Sequence, residues 1–426
     1  MRLGFKTTLP KTAHAMAALV VIAVALAGCI RSKNATPAAT PAATLNTVAL
    51  TVDSGPAADP GQFNHAYVTV KVCAAGSTTQ CANIDHVLLD TGSWGLRLVR
   101  SVLTAGGVTL SPETDAQGQT IEECVTFRAG QTWGPVARAD ITLAGEVAAQ
   151  LPVQIMDDTG AAAAPPATCG ANGLLLNAVT GFNANGLLGV GVFAQDCGPS
   201  CVNASAPLPM YYGCTAAGVC TPENVALTAQ VTNPVALFAA DNNGVIVRLP
   251  SLVNANGDTS VQGELLFGIA TQSDNALPTG LTVLGADSST GDFNATYNGG
   301  TTVLPALIDS GAQAYLFDDP TINACTSSSS LTTRNWLGYY CPLVTPQILS
   351  ATNAGVGANN ATNTVSFTIA DPSNTFVADA AAYSSLAGGG GSTRFTWGMP
   401  FFYGRKIYVG IDARTSGPYT GPFYAY

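Results

Sequence analysis

Two segments of this chain carry the same short pattern. One reads Val87-Leu88-Leu89-Asp90-Thr91-Gly92-Ser93, and the other reads Ala306-Leu307-Ile308-Asp309-Ser310-Gly311-Ala312. Each is an apolar run that ends in an Asp, followed by a small hydroxyl residue and a Gly. The two Asp residues lie 219 positions apart, about the length of one lobe, as a duplicated fold would place them. Two carboxylates brought face to face cannot both ionise cheaply, so the pair keeps one proton and can activate a water. Asp90 and Asp309 therefore come first among the residues able to do chemistry.

The tripeptide alone is weak. It recurs at Asp53-Ser54-Gly55 and Asp158-Thr159-Gly160, where polar or Ala/Pro-containing stretches follow and ordinary turns are expected. Asp90 and Asp309 are flanked by apolar strand runs on both sides, continuing into Trp94-Gly95-Leu96-Arg97-Leu98-Val99 and Gln313-Ala314-Tyr315-Leu316-Phe317.

The elements that must position this pair read as nearly all β. Alternating or β-branched runs recur at 47–52, 67–72, 86–89, 139–143, 244–249 and 264–267, then at 293–297, 302–308, 364–369 and 405–411. Asn, Gly, Asp and Ser turns separate them. Short helices are expected at 224–230 and 378–386, and no 20–50-residue repeat suggests a solenoid or propeller.

The N-terminus reads as a targeting segment. Arg2, Lys6 and Lys11 precede an apolar stretch at 16–26 that is too short to span a bilayer. It ends in Leu26-Ala27-Gly28-Cys29, which resembles the lipobox of bacterial lipoproteins. That resemblance implies cleavage after residue 28, a lipid on Cys29, and, with Ile30 following, residence at the outer membrane. Residues 29–46 then read as the lipidated cysteine and a flexible tether. The remaining ~380 residues fit two lobes, expected at 47–240 and 241–426.

Lys and Arg number 16 against 26 Asp and Glu, and three of the cations precede Cys29. Such an acidic chain is not expected to bind nucleic acid or grip anionic lipid through charge. Of the 11 Cys, ten remain once Cys29 is set aside, an even number in an oxidising compartment. Cys73/Cys81, Cys197/Cys201, Cys214/Cys220 and Cys325/Cys341 are close in sequence, which leaves Cys124 and Cys169, but sequence does not fix the connectivity. No zinc-like spacing occurs, and no metal or cofactor is expected. The glycine run at 388–391 has no basic neighbour and reads as a loop.

With these motifs in order, the chain resembles a bilobal, pepsin-type aspartic peptidase over residues 62–415. In that family an apolar-apolar-Gly segment crosses behind each Asp loop. Here Asn185-Gly186-Leu187-Leu188-Gly189-Val190 and Thr396-Trp397-Gly398-Met399-Pro400-Phe401 match it. Gly263-Glu264-Leu265-Leu266-Phe267-Gly268 and the closing strand Lys406-Ile407-Tyr408-Val409-Gly410-Ile411-Asp412 also match, and Cys325 and Cys341 sit where the second lobe commonly carries a disulfide. The chain resembles, too, an uncharacterised group of proteobacterial lipoproteins of unknown function.

The resemblance implies a monomeric endopeptidase acting on peptide or protein substrates, with Asp90 and Asp309 as the dyad. Thr91 and Ser310 would hydrogen-bond to the opposite loop, Gly92 and Gly311 would turn their N–H groups toward the carboxylates, and Ser93 would donate to Asp90. Phe127 would sit on a hairpin over the cleft, with Trp94 and Leu96 lining it. Three positions depart from the family pattern. Phe127 replaces a Tyr, Arg97 replaces the Trp that would bond that Tyr, and Ala312 replaces a Thr. Such losses also suit a lipoprotein that binds peptide or glycan without turnover.

Overall fold

Alternation of buried and exposed positions marks several strands. In Ala66–Ala74, Val68, Val70 and Val72 are buried while Thr69 and Lys71 face water, the two-residue period of a sheet with one wet face. Thr362–Ile369 repeats this with Val365, Phe367 and Ile369 inside. The computed structural model describes residues 46–169, 173–326, 334–390 and 393–426. The expected signal segment, Cys29 and the tether up to residue 45 lie outside the described residues.

The strands run β1 Thr47–Val52, β2 Ala66–Ala74, β3 Cys81–Asp90, β4 Trp94–Val99, β5 Thr120–Phe127, β6 Gly130–Leu143, β7 Glu146–Met156, β8 Gly186–Val190, β9 Tyr211–Cys214 and β10 Cys220–Pro222. They continue with β11 Gly244–Arg248, β12 Val261–Phe267, β13 Val283–Gly285, β14 Phe293–Tyr297, β15 Val303–Ile308, β16 Tyr315–Leu316, β17 Gln347–Ala354 and β18 Thr362–Ile369. The last are β19 Ala387–Gly388, β20 Phe395–Trp397, β21 Lys406–Gly410, β22 Thr415–Ser416, β23 Tyr419–Thr420 and β24 Phe423–Ala425. The fold is mostly β, with a few short helices.

A 15-stranded sheet contains a closed barrel. Strands β6, β7, β4, β8, β3 and β2 pair in that order, and β2 pairs back onto β6. The same sheet continues through β1, β12, β11, β21, β24 and β13. A 7-stranded sheet holds β14–β20. The two expected lobes share structure, since β1 pairs along its whole length with β12.

One local arrangement occurs twice. Strand β3 runs parallel to β8, and β8 runs antiparallel to β4. Likewise β15 runs parallel to β20, and β20 antiparallel to β16. In both copies the central strand passes directly behind the loop that follows an Asp. A Cβ on Gly189 would sit 2.7 Å from Trp94 backbone atoms, and one on Gly398 would sit 2.7 Å from the Ala312 carbonyl oxygen. Only glycine permits that approach. Being covered on both faces, the ends of β3 and β15 are continuously apolar and buried.

Two helix expectations are corrected. At 224–230 there is only the 3-10 turn Leu227–Ala229, and 378–386 is irregular. The second segment is buried, and its backbone is claimed by other chain segments. Asn64 takes both the N–H and the carbonyl of Tyr383, and the Ala381 and Ala382 N–H groups donate to the Asp258 carbonyl. Among the described residues the longest helix is α1 Arg100–Ala105, at a place where the sequence pattern shows no helix signal. Five disulfides join Cys73–Cys81, Cys124–Cys169, Cys197–Cys201, Cys214–Cys220 and Cys325–Cys341. Among the described residues, no helix is long and apolar enough to cross a membrane.

Candidate active site

Asp90 ends β3 and Asp309 follows β15, and the chain turns sharply after each. The Gly92 N–H donates to Asp90 Oδ1 at 2.7 Å, and the Gly311 N–H donates to Asp309 Oδ1 at 2.8 Å. The two turns face each other. A Cβ on Gly92 would lie 2.5 Å from Asp309 Cγ, and one on Gly311 would lie 2.8 Å from Asp90 Cγ. Each carboxyl thus rests on the other loop's glycine, and the two crowd one point, since a Cβ on Gly311 would meet Asp90 Oδ1 at 2.8 Å and Asp309 Oδ1 at 3.2 Å.

Thr91 and Ser310 lock this arrangement. The Thr91 N–H donates to Ser310 Oγ at 3.1 Å, and the Ser310 N–H donates to Thr91 Oγ1 at 3.0 Å. The Thr91 hydroxyl donates onward to the Ile308 carbonyl and the Ser310 hydroxyl to the Leu89 carbonyl, at 2.8 and 2.7 Å. Both side chains are fully buried.

The two carboxyls are not equivalent. Asp90 also accepts from Ser93 Oγ at 2.5 Å. Among the described residues the Asp309 carboxyl accepts from the Gly311 N–H and from no hydroxyl, the Ala312 N–H donating to the Asp309 backbone carbonyl instead. Burial first, and then the neighbouring Asp90 charge, hold Asp309 well above the ordinary carboxylate range, so it is the better seat for a shared proton.

Both Asp residues open into one cavity of about 650 Å³. Leu88, Phe127, Leu176, Phe182 and Leu187 form an apolar wall, and Ala312, Gln313, Leu316, Tyr339, Arg394 and Thr396 lie across from it. His65, buried and pushed down to about 4 by desolvation, adds a neutral ring. Phe127 stands at the β5–β6 turn and meets Phe182 edge-on at 6.3 Å. A larger open concavity at 253–260 holds no carboxylate pair, and its Asp258 is occupied with the Val253 and Asn254 N–H groups.

Two expected cleft residues are elsewhere. Leu96 is fully buried in the core, and Trp94 packs against Phe193 at 4.9 Å, because β4 leaves the Asp loop as an interior strand of the barrel, between β7 and β8. Arg97 does not point into the cavity either. It donates to the Trp94 carbonyl at 2.7 Å, to Glu123 at 2.7 Å and to Asp196 at 2.9 Å, tying the Asp90 loop to the hairpin strand β5. The glycine run has a basic partner after all, since Arg128 donates to the Gly389 and Gly390 carbonyls. Sequence reasoning missed Arg128, Arg394 and His65. For Leu88 and Leu307 a signal existed, because each lies two positions before an Asp on the same strand face.

The other Asp-(Ser/Thr)-Gly copies have local partners. Asp53 accepts from the Gly55 N–H, and Asp158 from the Ser101 N–H at the start of α1. Cys325, Cys341 and Asp371 lie close together, but the two sulfurs are joined to each other and offer no thiolate.

Among solved structures, an aspartic proteinase from Irpex lacteus is similar, with a TM-score of 0.47, 15% identity, and coverage of 89% of this chain and 96% of that one. No curated protein matches the sequence. A family model described as "Protein of unknown function (DUF3443)" matches residues 42–426, and the chain belongs to that family.

Proposed function

We propose that the protein is a bilobal, pepsin-like aspartic endopeptidase. One observation carries this reading: the crosswise seating of Asp90 on Gly311 and of Asp309 on Gly92, fixed by the Thr91–Ser310 bonds. Asp309 retains the shared proton, while Asp90 is ionised and stabilised by Gly92 and Ser93. A water between them gives its proton to Asp90 as its oxygen attacks the peptide carbonyl. Asp309 donates to the carbonyl oxygen, giving a neutral tetrahedral diol. In the collapse Asp90 gives its proton to the leaving nitrogen as the C–N bond breaks, and a diol hydroxyl returns its proton to Asp309 as the carbonyl re-forms, which restores the single shared proton. The apolar wall around Phe127 and Leu88 favours an apolar or aromatic residue beside the scissile bond.

In this reading Cys29 carries the lipid that tethers the enzyme to the outer membrane, and the enzyme works as a monomer. Digestion of a peptide library, read by mass spectrometry, tests the activity. Asp90→Asn and Asp309→Asn should each lower kcat/KM by at least about a thousandfold, with the double variant little worse, since the two act as a unit. Cleavage that survives either change would overturn the assignment. Phe127, which lacks a hydroxyl over the cleft, favours a second reading in which the site binds peptide or glycan without turnover. Saturable binding with no hydrolysis would select it.

A further inference from the structure

The turn between β5 and β6 borders the cavity, and Arg128 at this turn lines the cavity while remaining exposed to solvent. Its Nη1 donates to the Gly390 carbonyl at 2.8 Å and its Nη2 to the Gly389 carbonyl at 2.9 Å, so the hairpin reaches across to a loop 262 residues away. The receiving loop is shaped for this guanidinium. A Cβ on Gly390 would overlap it, and Gly390 has φ +108, where glycine is favoured. Asp318 steadies the loop by accepting the Gly390 N–H at 2.7 Å.

The charges around the cavity make Arg128 distinctive. The chain has only 16 Lys and Arg, and two of them line this cavity. Arg394 is matched by the Asp292 carboxylate at 2.8 Å. Arg128 forms no ion pair among the described residues; both its acceptors are neutral carbonyls. A carboxylate takes a guanidinium through two parallel bonds with both partners charged, whereas each glycine carbonyl accepts a single bond and brings no countercharge. An acidic side chain arriving under the turn therefore outcompetes the two glycine carbonyls.

We propose that Arg128 is a specificity-determining residue of the cleft, exchanging the Gly389 and Gly390 carbonyls for an Asp or Glu side chain of a bound peptide. This rests on the cleft being a peptide site, and it adds an acidic requirement to the apolar one near the scissile bond. The net negative charge of the chain opposes acidic ligands at long range, so the preference is local and its contrast is clearest at physiological salt, where distant charges are screened.

The test uses labelled nonapeptides with a central Phe-Leu pair and Glu, Gln or Lys at each flanking position in turn. Binding is followed by anisotropy and hydrolysis by mass spectrometry. At one position the wild-type protein should bind the Glu peptide about tenfold more tightly than its Gln twin. Arg128→Gln should remove that ratio, and Arg128→Glu should invert it in favour of Lys. Both substitutions are at an exposed turn, and unchanged thermal unfolding confirms the fold. No discrimination at any position, or discrimination that survives Arg128→Gln, overturns the proposal. Tight Glu-selective binding without hydrolysis sinks the peptidase reading and supports the role of Arg128. Hydrolysis that ignores Glu against Gln does the reverse, and peptides that neither bind nor are cut overturn both.

Discussion

Thr91 and Ser310 exchange hydrogen bonds across the candidate dyad, each backbone N–H donating to the other's hydroxyl oxygen at 3.1 and 3.0 Å. Each hydroxyl then donates to a strand carbonyl of the opposite copy. Four bonds with no solvent access thus join the end of β3 to the end of β15. Each carboxyl is one residue from this ring, so the ring sets their separation.

Removing one hydroxyl should therefore cost stability. Thr91→Val keeps the shape but leaves the Ser310 N–H and the Ile308 carbonyl unpaired. Ser310→Ala does the same to the Thr91 N–H and the Leu89 carbonyl. Each should destabilise by about 1–3 kcal/mol in urea unfolding. The double variant should cost clearly less than the sum, because the bonds form one network. Strictly additive losses would show two independent pairs instead.

Arg97 should prove equally sensitive for a different reason. It is 1% exposed and faces Glu123 and Asp196, with the Tyr211 hydroxyl donating to Asp196 at 2.6 Å. Arg97→Met strands the buried Glu123–Asp196 pair, in which burial first and then Asp196 already hold Glu123 well above the ordinary carboxylate range, and should cost about 3–5 kcal/mol near neutral pH. Adding Glu123→Gln and Asp196→Asn should recover most of that loss. If the triple variant is as unstable as the single one, packing rather than charge explains the position.

What was legible in the sequence was local. The two Asp loops, the glycines behind them and the alternating strands are each encoded within a few residues, so pattern alone located them. Arg97 and Arg128 were opaque because, apart from the Trp94 carbonyl, their partners lie 26 to 262 residues away. Trp94 and Leu96 misled because closeness to Ser93 in sequence does not survive the entry of β4 into the barrel wall between β7 and β8. The Ala-rich stretch at 378–386 has helical composition, yet tertiary bonds from Asn64 and Asp258 take its backbone, and propensity yields to them.

Glu122 predicts a pH dependence of stability separate from the dyad. It is 2% exposed, its Oε2 has no hydrogen-bond partner, and burial pushes it up to about 8, with Asp157 adding to the shift and Arg100 opposing it. A carboxyl raised on folding holds its proton in the native state. Its stabilising effect is complete below about 4.5, and is lost as pH rises through about 8. Glu122→Gln mimics the protonated form. The variant should gain stability relative to wild type between pH 5 and 9, most at the alkaline end. A constant difference between the two urea-unfolding profiles would show that Glu122 does not titrate in that window.

The dyad's own pH range should be set by residue 312. Ser93 Oγ donates to Asp90 at 2.5 Å, whereas Ala312, following Gly311 on the other loop, has no hydroxyl to offer Asp309. A donor to the charged form lowers a carboxylate's pKa, so its absence contributes to keeping Asp309 protonated to higher pH. The pair then holds its single proton further toward neutrality, and the proposed activity should persist at mildly acidic to near-neutral pH. Ala312→Thr supplies a hydroxyl that can donate to Asp309 if its rotamer points inward. The pair would then lose its last proton at lower pH, and the alkaline limb of kcat/KM should move toward acid. Ala312→Val, with the same shape and no donor, should leave the limb where it is and so separates charge from bulk. A limb that moves equally in both variants, or toward alkali in Ala312→Thr, would show that residue 312 does not tune the dyad through hydrogen bonding.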